Sequence, residues 1–411
     1  MDSALAPRAI CMSPARESHQ ADAMLDLVTA SSLPASAPAD PAAPQPAPVL
    51  LMVRELSVGG CERDLTKIAA HIDRSRFTPH VGCFIAEGLR FDELTALKIP
   101  VVEFPVRSFG SLSALGAARA MARYIRAHGI RLVHPFDVPT TLFGVPIARA
   151  CRIPGVASQL SYRNHLYASR DLFLLGLVDR ISSKIVVNSK EIQRHLIEEK
   201  GIPRDLTYLC YNGVDSREFH PEGRQRLPEL SDAKLVIGIV CVLREEKGLA
   251  VLIEAFSRIR AEHDSMKLVI VGQGPMREKL ETLRDQLGLQ NQMLLAPATS
   301  EVAAWMRSID IFVLPSTSES FSNSLLEAMA CGCCVIGSRV GGTPELICDQ
   351  SSGLLFNAGD VDGLVECLRK VVRDESLRNR LAAAAAHRAA TEFSIDRAVQ
   401  RTEELYASLL R

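Results

Sequence analysis

The chain has 411 residues, 47% of them hydrophobic, so it can bury large cores and is long enough for two or three domains. Its 47 Lys and Arg residues almost balance its 48 Asp and Glu residues, which argues against a nucleic-acid-binding protein. The eleven cysteines, several of them inside apolar runs, predict reduced thiols rather than a disulfide framework. No apolar run approaches the roughly 18 residues that cross a bilayer, so we expect a cytoplasmic protein.

The first 46 residues are rich in Ala, Pro and Ser. Repeated prolines prevent continuous helices and strand ladders, and the segment has little apolar surface to bury. We therefore predict a disordered tail over residues 1–46.

Short apolar strands alternate with helices from residue 47 to about residue 200. The predicted strands cover residues 49–53, 79–85, 101–104, 132–136, 155–159 and 184–188. The predicted helices cover residues 64–72, 87–97, 112–128, 140–150, 171–179 and 189–200. Because the strands lack polar alternation, they predict a parallel sheet covered by helices on both faces, in a first domain over residues 47–219.

A turn-rich, polar segment over residues 211–228 has the character of a linker between domains. After it, predicted strands cover residues 235–242, 267–271, 293–295, 309–314 and 334–337. Predicted helices cover residues 248–263, 276–287, 300–308 and 361–374, with one more that begins near Asn323. We therefore expect a second α/β domain over residues 220–392, followed by one amphipathic helix over residues 393–411.

Two glutamates, Glu319 and Glu327, are separated by seven residues and lie on either side of a predicted loop-to-helix junction. We place the second glutamate in the opening turn of that helix. A strand that runs through a Ser/Pro loop into a helix directs free backbone N–H groups and the positive helix end at one spot, which attracts phosphate. Carboxylates beside that spot accept strong hydrogen bonds from hydroxyl groups. The pattern predicts a nucleotide-sugar site in which one carboxylate binds the sugar and the other binds the ribose.

The two glutamates and the following run Ala-Met-Ala-Cys-Gly-Cys-Cys-Val-Ile-Gly-Ser-Arg-Val-Gly-Gly-Thr-Pro-Glu resemble the donor-site signature of retaining glycosyltransferases of family four. The resemblance implies the GT-B fold, in which two Rossmann-like, doubly wound domains face each other across a cleft and the C-terminal helix crosses back to the first domain. It also implies that Glu319 contacts the transferred sugar and that Glu327 contacts the ribose. Donor binding by the segment after the first glutamate is implied at Ser320, Phe321, Ser322 and Asn323.

Two basic residues, Arg244 and Lys247, lie in the first strand-to-helix loop of the second domain, which borders the ligand crevice in open parallel sheets. A departing diphosphate requires fixed cations. The family usually carries an arginine five residues before the lysine, and Val242 stands at that position here. The resemblance therefore implies catalytic roles for Lys247 and, as a displaced substitute, for Arg244. The competing interpretation is a solvated turn of mixed charge.

Several glycines are expected at the donor. Gly59 and Gly60 resemble the family's Gly-Gly-Ala-Glu-Arg loop, with Cys61 in place of alanine, and let the backbone approach the donor from the first domain. A plain tight turn is the alternative. Gly272 and Gly274 lie in a Gly-x-Gly-Pro loop that, in the family, edges the nucleotide pocket. A nicotinamide site is disfavoured because residue 277 is an arginine where the dinucleotide fingerprint needs a third glycine.

The first domain offers further polar candidates. His134 and Asp137 lie at the end of a predicted strand, where relatives often carry two histidines, and Phe136 replaces the second of these. We take His134 as a catalytic candidate and Asp137 as a substrate-binding one, although a satisfied structural histidine is equally consistent with the sequence. Arg163 and Asn164 follow another strand and are expected to face the cleft.

The sequence thus predicts a retaining, metal-independent glycosyltransferase that needs no cofactor. Its donor is a UDP- or GDP-sugar, and its acceptor is a hydroxyl of a glycan or lipid-linked saccharide, as in polysaccharide synthesis. Such acceptors leave open a peripheral contact with the inner face of the membrane. The alternatives are a non-catalytic nucleotide-sugar-binding protein, a sugar-nucleotide epimerase of the same fold and, most weakly, an NAD-linked dehydrogenase.

Overall fold

The computed structural model of the chain describes residues 45–57, 59–161, 169–263 and 265–411. The tail predicted over residues 1–46 lies outside this part, apart from its last two residues. Arg163 and Asn164 also lie outside the described residues.

The described part of the N-terminal half contains seven parallel strands: β1 Ala47–Glu55, β2 Phe77–Ile85, β3 Val101–Glu103, β4 Leu132–Pro135, β5 Val156–Gln159, β6 Lys184–Val187 and β7 Thr207–Leu209. They form one sheet in the order β3-β2-β1-β4 and another in the order β5-β6-β7. A parallel bridge between Val133 and Gly155 joins β4 to the start of β5. The six predicted strands are confirmed, and β7 was not predicted.

The helices that cover these strands are α1 Gly60–His71, α2 Leu89–Ala96, α3 Leu112–Ala127, α4 Val138–Ala150, α5 Ser169–Ile181 and α6 Lys190–Arg194, which continues as a π-helical turn over His195–Glu199. The central strand β1 is buried from Val49 to Val53. Burial on both faces explains why its residues are apolar without alternation.

The C-terminal half contains one parallel sheet in the order β10-β9-β8-β11-β12-β13. Its strands are β8 Leu235–Val240, β9 Met266–Val271, β10 Met293–Ala296, β11 Ile311–Leu314, β12 Cys334–Ser338 and β13 Leu354–Phe356. Its helices are α7 Leu249–Ile259, α8 Arg277–Gln286, α9 Val302–Ser308, α10 Asn323–Ala330, α11 Thr343–Leu346, α12 Val361–Arg373 and α13 Glu375–Glu392. Strand β13 and helices α11 and α13 were not predicted.

The last helix, α14 Ile395–Leu409, returns to the N-terminal half. Ile395, Val399 and Tyr406 join the core formed by β1, β2 and α1. Glu403 adds polar contacts, because its carboxylate accepts a hydrogen bond of 2.7 Å from the backbone N–H of Asp73. The predicted return of the C-terminal helix is therefore observed.

None of the described helices combines the length and the apolar character that crossing a bilayer requires. The loops after β1, β8 and β11 instead follow the carboxyl ends of strands, and in open parallel sheets these ends border the ligand crevice.

Candidate functional site

Two neighbouring loops of the C-terminal half hold Glu319 and Lys247 together. The Nζ atom of Lys247 donates to Oε1 of Glu319 at 2.6 Å, and the Ser316 hydroxyl donates to the same oxygen at 2.8 Å. A backbone hydrogen bond of 2.8 Å from Thr317 N–H to the carbonyl of Glu246 joins the loops. The Glu319 side chain is 8% exposed and that of Lys247 is 21% exposed. The pair is therefore largely shielded from solvent, which strengthens its electrostatic attraction.

Glycines permit the close packing of backbone around Glu319. Gly341 has φ +50°, and a Cβ built there would lie 1.5 Å from the carbonyl oxygen of Glu319. Its neighbour Gly342 donates its N–H to the carbonyl of Ser320 at 2.9 Å. Gly248 has φ +62°, and its Cβ would lie 2.2 Å from the carbonyl oxygen of Pro315. Side chains at Gly341 and Gly248 would push the loop away, so these glycines set the position of the carboxylate.

Helix α10 places Glu327 on the other side of the same loop. The Ser322 hydroxyl caps the helix by accepting a hydrogen bond of 3.3 Å from the N–H of Leu325. Because the helix begins at Asn323, Glu327 lies in its second turn rather than in the opening turn that we predicted. Its side chain is 1% exposed, and its Oε1 lies 2.9 Å from Nη2 of Arg63, in α1 of the opposite half.

A cavity of about 430 Å³ lies between the two halves. Lys247, Glu319 and Glu327 are all on its wall. Of the other predicted site residues, the wall contains Gly59, Gly60, Gly272, Phe321, Ser322 and Asn323. The structure therefore brings most of the predicted donor residues to one place. Among the described residues, no group of three His, Cys, Asp or Glu side chains is arranged to hold a metal ion.

Three predicted residues lie beside the cavity rather than on its wall. The Arg244 side chain is 55% exposed and lies 3.8 Å from the Glu246 carboxylate. The Ser320 hydroxyl donates to the carbonyl of Leu160 in the N-terminal half. A Cβ at Gly274, which has φ +158°, would lie 2.4 Å from the carbonyl oxygen of Leu243, so this glycine serves the packing of two loops.

His134 is buried and fully engaged away from the cavity. Its Nδ1 lies 2.7 Å from the Tyr406 hydroxyl and its Nε2 lies 2.8 Å from the Ser158 hydroxyl. Burial lowers the pKa of His134 to about 3, so the imidazole is neutral near pH 7.

Asp137 caps α4, accepting hydrogen bonds from the N–H groups of Thr140 at 2.8 Å and Arg54 at 2.6 Å. Neither Asp137 nor His134 lines the cavity, so the substrate-binding role of Asp137 and the catalytic role of His134 stay predictions.

Among the described residues of the cavity wall, the sequence prediction missed two basic ones, Arg63 and Arg90. A signal existed for Arg63, because a helix that begins at Gly60 turns Arg63 back toward the glycine loop after one turn. Arg90 belongs to no motif, and only the packing of α2 beside that loop brings it to the cavity.

The matches to two protein-family models divide the chain into the same two halves. The family model Glycosyltransferase Family 4 matches residues 58–218, and the model Glycosyl transferases group 1 matches residues 224–388. N-acetyl-alpha-D-glucosaminyl L-malate synthase of Bacillus anthracis is 30% identical over 212 residues, 51% of this chain and 55% of that protein. D-inositol 3-phosphate glycosyltransferase of Corynebacterium jeikeium is 32% identical over 257 residues, 59% of this chain and 61% of that protein. The matches thus span little more than half the length of these relatives.

Among solved structures, HepE of Anabaena in complex with UDP and glucose superposes with a TM-score of 0.76 and 24% identity, over 88% of this chain and 99% of that one. Such a likeness shows a common fold. The consecutive family matches, the two parallel α/β halves and the returning helix agree with one another. The chain therefore belongs to the glycosyltransferases that the models Glycosyltransferase Family 4 and Glycosyl transferases group 1 together describe, and it has the GT-B fold.

Proposed function

We propose that this protein transfers a sugar from a nucleoside diphosphate sugar to an acceptor hydroxyl, with retention of anomeric configuration and without a metal ion. The observation that carries the proposal is the joint presence of Lys247, Glu319 and Glu327 on one cavity wall, opposite the Gly59–Gly60 loop. One cation and two carboxylates match a donor that has one charged group between two polyhydroxyl groups.

Each of these residues has a role in the proposal. Glu327 binds the ribose, and Glu319 binds hydroxyls of the sugar. Lys247 and the amino end of α10 stabilise the negative charge that develops on the diphosphate. The Nζ atom of Lys247 already lies 2.6 Å from Oε1 of Glu319, so Lys247 does not have to move far to contact a bound donor.

The transfer step requires little from protein bases. The bond between the anomeric carbon and the diphosphate oxygen breaks, while the acceptor oxygen forms its bond to that carbon on the same face. The acceptor proton passes to the departing diphosphate oxygen. The neutral, buried state of His134 is consistent with this scheme, because no histidine base is required.

The relatives support a nucleotide-sugar donor and a polar acceptor. HepE was crystallised with UDP and glucose, and two relatives are named for transfer to malate or to inositol phosphate. We propose UDP- or GDP-sugars as donors for this chain.

The surface of the N-terminal half supports an acceptor with an apolar part, such as a lipid-linked saccharide at a membrane. Large apolar side chains are exposed on this half, among them Phe109 before α3, Leu112 and Leu115 in its first turn, and Phe173 and Leu177 on α5. Exposed apolar groups of this kind mark contact surfaces. We propose that this half faces the acceptor and the inner face of the membrane.

The first test is a thermal-shift screen over UDP-, GDP- and ADP-sugars. A donor at a hundred times its Kd stabilises the folded protein by about 2.7 kcal/mol. The stabilising donor is then used, with a radioactive sugar, to measure transfer to a panel of glycan and lipid-linked acceptors. Transfer in the presence of EDTA tests metal independence, and NMR of the product reports its anomeric configuration.

Lys247→Ala and Glu327→Ala are expected to lower the transfer rate at least about a hundredfold, because each removes a charged contact to the donor. Lys279→Ala, at an exposed position on α8, is the control and should leave the rate unchanged. Full transfer by either cavity variant would contradict the assignment of the site.

Two alternatives give different results in the same assays. A non-catalytic binding protein is favoured by Val242, which is 47% exposed on the cavity wall and leaves that position uncharged. It would bind the donor tightly and transfer nothing to any acceptor. An epimerase would instead convert the labelled donor into an isomer without any acceptor.

A further inference from the structure

We propose that Arg90, in the N-terminal half, supplies a second positive charge to the diphosphate of the donor, an inference that rests on the proposed function. A departing diphosphate carries more negative charge than one lysine neutralises. In addition, Lys247 is already paired with Glu319 at 2.6 Å. A further cation on the cavity wall is therefore needed.

Few basic side chains on the cavity wall could supply this second positive charge. Within the described residues, the basic side chains of the wall are Arg63, Arg90 and Lys247. Arg63 lies 2.9 Å from Glu327, which leaves its charge balanced by a carboxylate of the same cavity. On the opposite wall Val242 is apolar, and the nearby Arg244 is turned to solvent with 55% of its side chain exposed. Arg90 is the remaining cation.

The backbone fixes Arg90 next to the glycine loop. Gly88 has φ +114°, and a Cβ there would lie 2.6 Å from the carbonyl oxygen of Leu56. The N–H of Arg90 donates to that same carbonyl at 3.0 Å. Helix α2 therefore begins directly against the segment that leads to Gly59 and Gly60, and Arg90 lies in its first turn.

The guanidinium of Arg90 is held at one end and has an unused donor. Its Nη1 lies 2.6 Å from each carboxylate oxygen of Glu93, while its buried Nε–H has no hydrogen-bond partner among the described residues. A buried donor without a partner costs free energy, and a turn of the guanidinium toward a phosphate oxygen, the acceptor that its fork fits best, would satisfy this donor. Arg90 and Glu93 form an ion pair at 2.6 Å, but Glu93 does not line the cavity and its side chain is 37% exposed, so solvent screens its charge more than that of Glu319 or Glu327.

The test compares binding of UDP, GDP and ADP with binding of the corresponding nucleosides by calorimetry, together with the rate of sugar transfer. Arg90→Gln is expected to weaken the preferred nucleoside diphosphate about tenfold or more, to lower kcat about a hundredfold and to leave nucleoside binding unchanged. Glu93→Gln is the matched control. It removes the carboxylate partner and keeps the guanidinium, so diphosphate affinity and kcat should stay at the wild-type values.

A second variant distinguishes the loss of a positive charge from a loss of folding. Val242→Arg places a cation on the opposite wall, and in combination with Arg90→Gln it is expected to restore much of the lost diphosphate affinity. The inference is overturned if Arg90→Gln binds and turns over like the wild type, or if Glu93→Gln loses as much as Arg90→Gln. A wild-type protein that binds none of the nucleoside diphosphates overturns the proposed function as well.

Discussion

The carboxylate of Glu319 is positioned by glycines that do not line the cavity. Gly341 presses its backbone against the Glu319 carbonyl, in a conformation with φ +50° that side-chain-bearing residues rarely adopt. The sequence resemblance includes the Gly-Gly-Thr-Pro-Glu segment without assigning it a role. In the structure this segment packs against the loop that bears Glu319 and holds it in place.

Gly341→Ala is expected to lower the free energy of unfolding by more than the roughly 1 kcal/mol that a left-handed conformation costs an alanine, because its Cβ also collides with backbone. Donor affinity should fall as well. Urea unfolding and donor titration measure both effects. Gly359→Ala is the matched control, since Gly359 has φ +77° and open space around its Cβ. Equal losses of stability and donor affinity in the two variants would show that the contact between Gly341 and the Glu319 carbonyl does not position the loop.

The buried His134 makes stability depend on pH. Its pKa falls from the usual 6.5 to about 3 in the folded state, so between these values the unfolded chain binds more protons. The stability that depends on His134 being neutral is therefore fully present above pH 6.5 and is lost as the pH falls below 6.5. Between pH 6.5 and pH 5 the loss amounts to about 2 kcal/mol.

His134→Gln should remove this slope, so that its stability changes less between pH 7 and pH 5 than that of the wild type. Urea unfolding at both pH values measures the difference. The same substitution at His387, an exposed position on α13, should retain the wild-type slope. A variant that follows the wild-type curve would show that His134 is not the titrating group.

At the scale of elements, helix α3 has one face that none of the described elements covers. Leu112 and Leu115 are 88% and 48% exposed, and Arg119, Arg123 and Arg126 follow them along the exposed side of the helix. The helix contains no acidic residue. Apolar groups beside unopposed arginines match the surface of an anionic membrane.

Neutralising two of these charges, with Arg119→Gln and Arg126→Gln together, is expected to weaken binding to vesicles rich in anionic lipid. About 1 kcal/mol for each charge corresponds to a roughly thirtyfold loss. Vesicle sedimentation at low and high salt measures it. The control combines Lys279→Gln and Arg380→Gln, which remove the same charge from exposed positions in the C-terminal half. Equal weakening by the control would show that net charge, not α3, determines the binding.

The sequence predicted long elements better than short or uniform ones. Strands of apolar residues and helices with a clear apolar stripe, such as α12, were found. Helix α13 was missed because its run of alanines gives no contrast between faces, although Leu381, Ala385 and Ala389 are buried. The strands β7 and β13 are three residues long, and their pairing partners rather than their own residues define them.

At the scale of the whole molecule, Glu345 links the two halves. Its carboxylate accepts hydrogen bonds from the N–H groups of Lys190 at 3.0 Å and Glu191 at 3.1 Å, at the start of α6, and from the Tyr211 hydroxyl at 2.7 Å. A carboxylate at a helix amino end is favourably placed. The last residue of the Gly-Gly-Thr-Pro-Glu segment therefore holds the halves together across the cleft.

Glu345→Ala is expected to weaken the contact between the halves by about 1.5–3 kcal/mol, the range for hydrogen bonds to a charged group. Small-angle X-ray scattering of the nucleotide-free protein should then give a larger radius of gyration. Asp374→Ala is the control, because it removes a helix cap within the C-terminal half alone. Unchanged scattering of Glu345→Ala would refute the link.

The sequence by itself determined the alternation of buried parallel strands and helices, and the neighbourhood of Glu319 and the start of α10. Both follow from residues close together in the chain, whose burial pattern and turn chemistry fix local structure. Only the tertiary structure decided that Arg63 and Arg90 face the donor cavity and that His134 pairs with Tyr406 instead. Such contacts join residues far apart in sequence, and they depend on how the two sheets and the last helix pack, which no local pattern specifies.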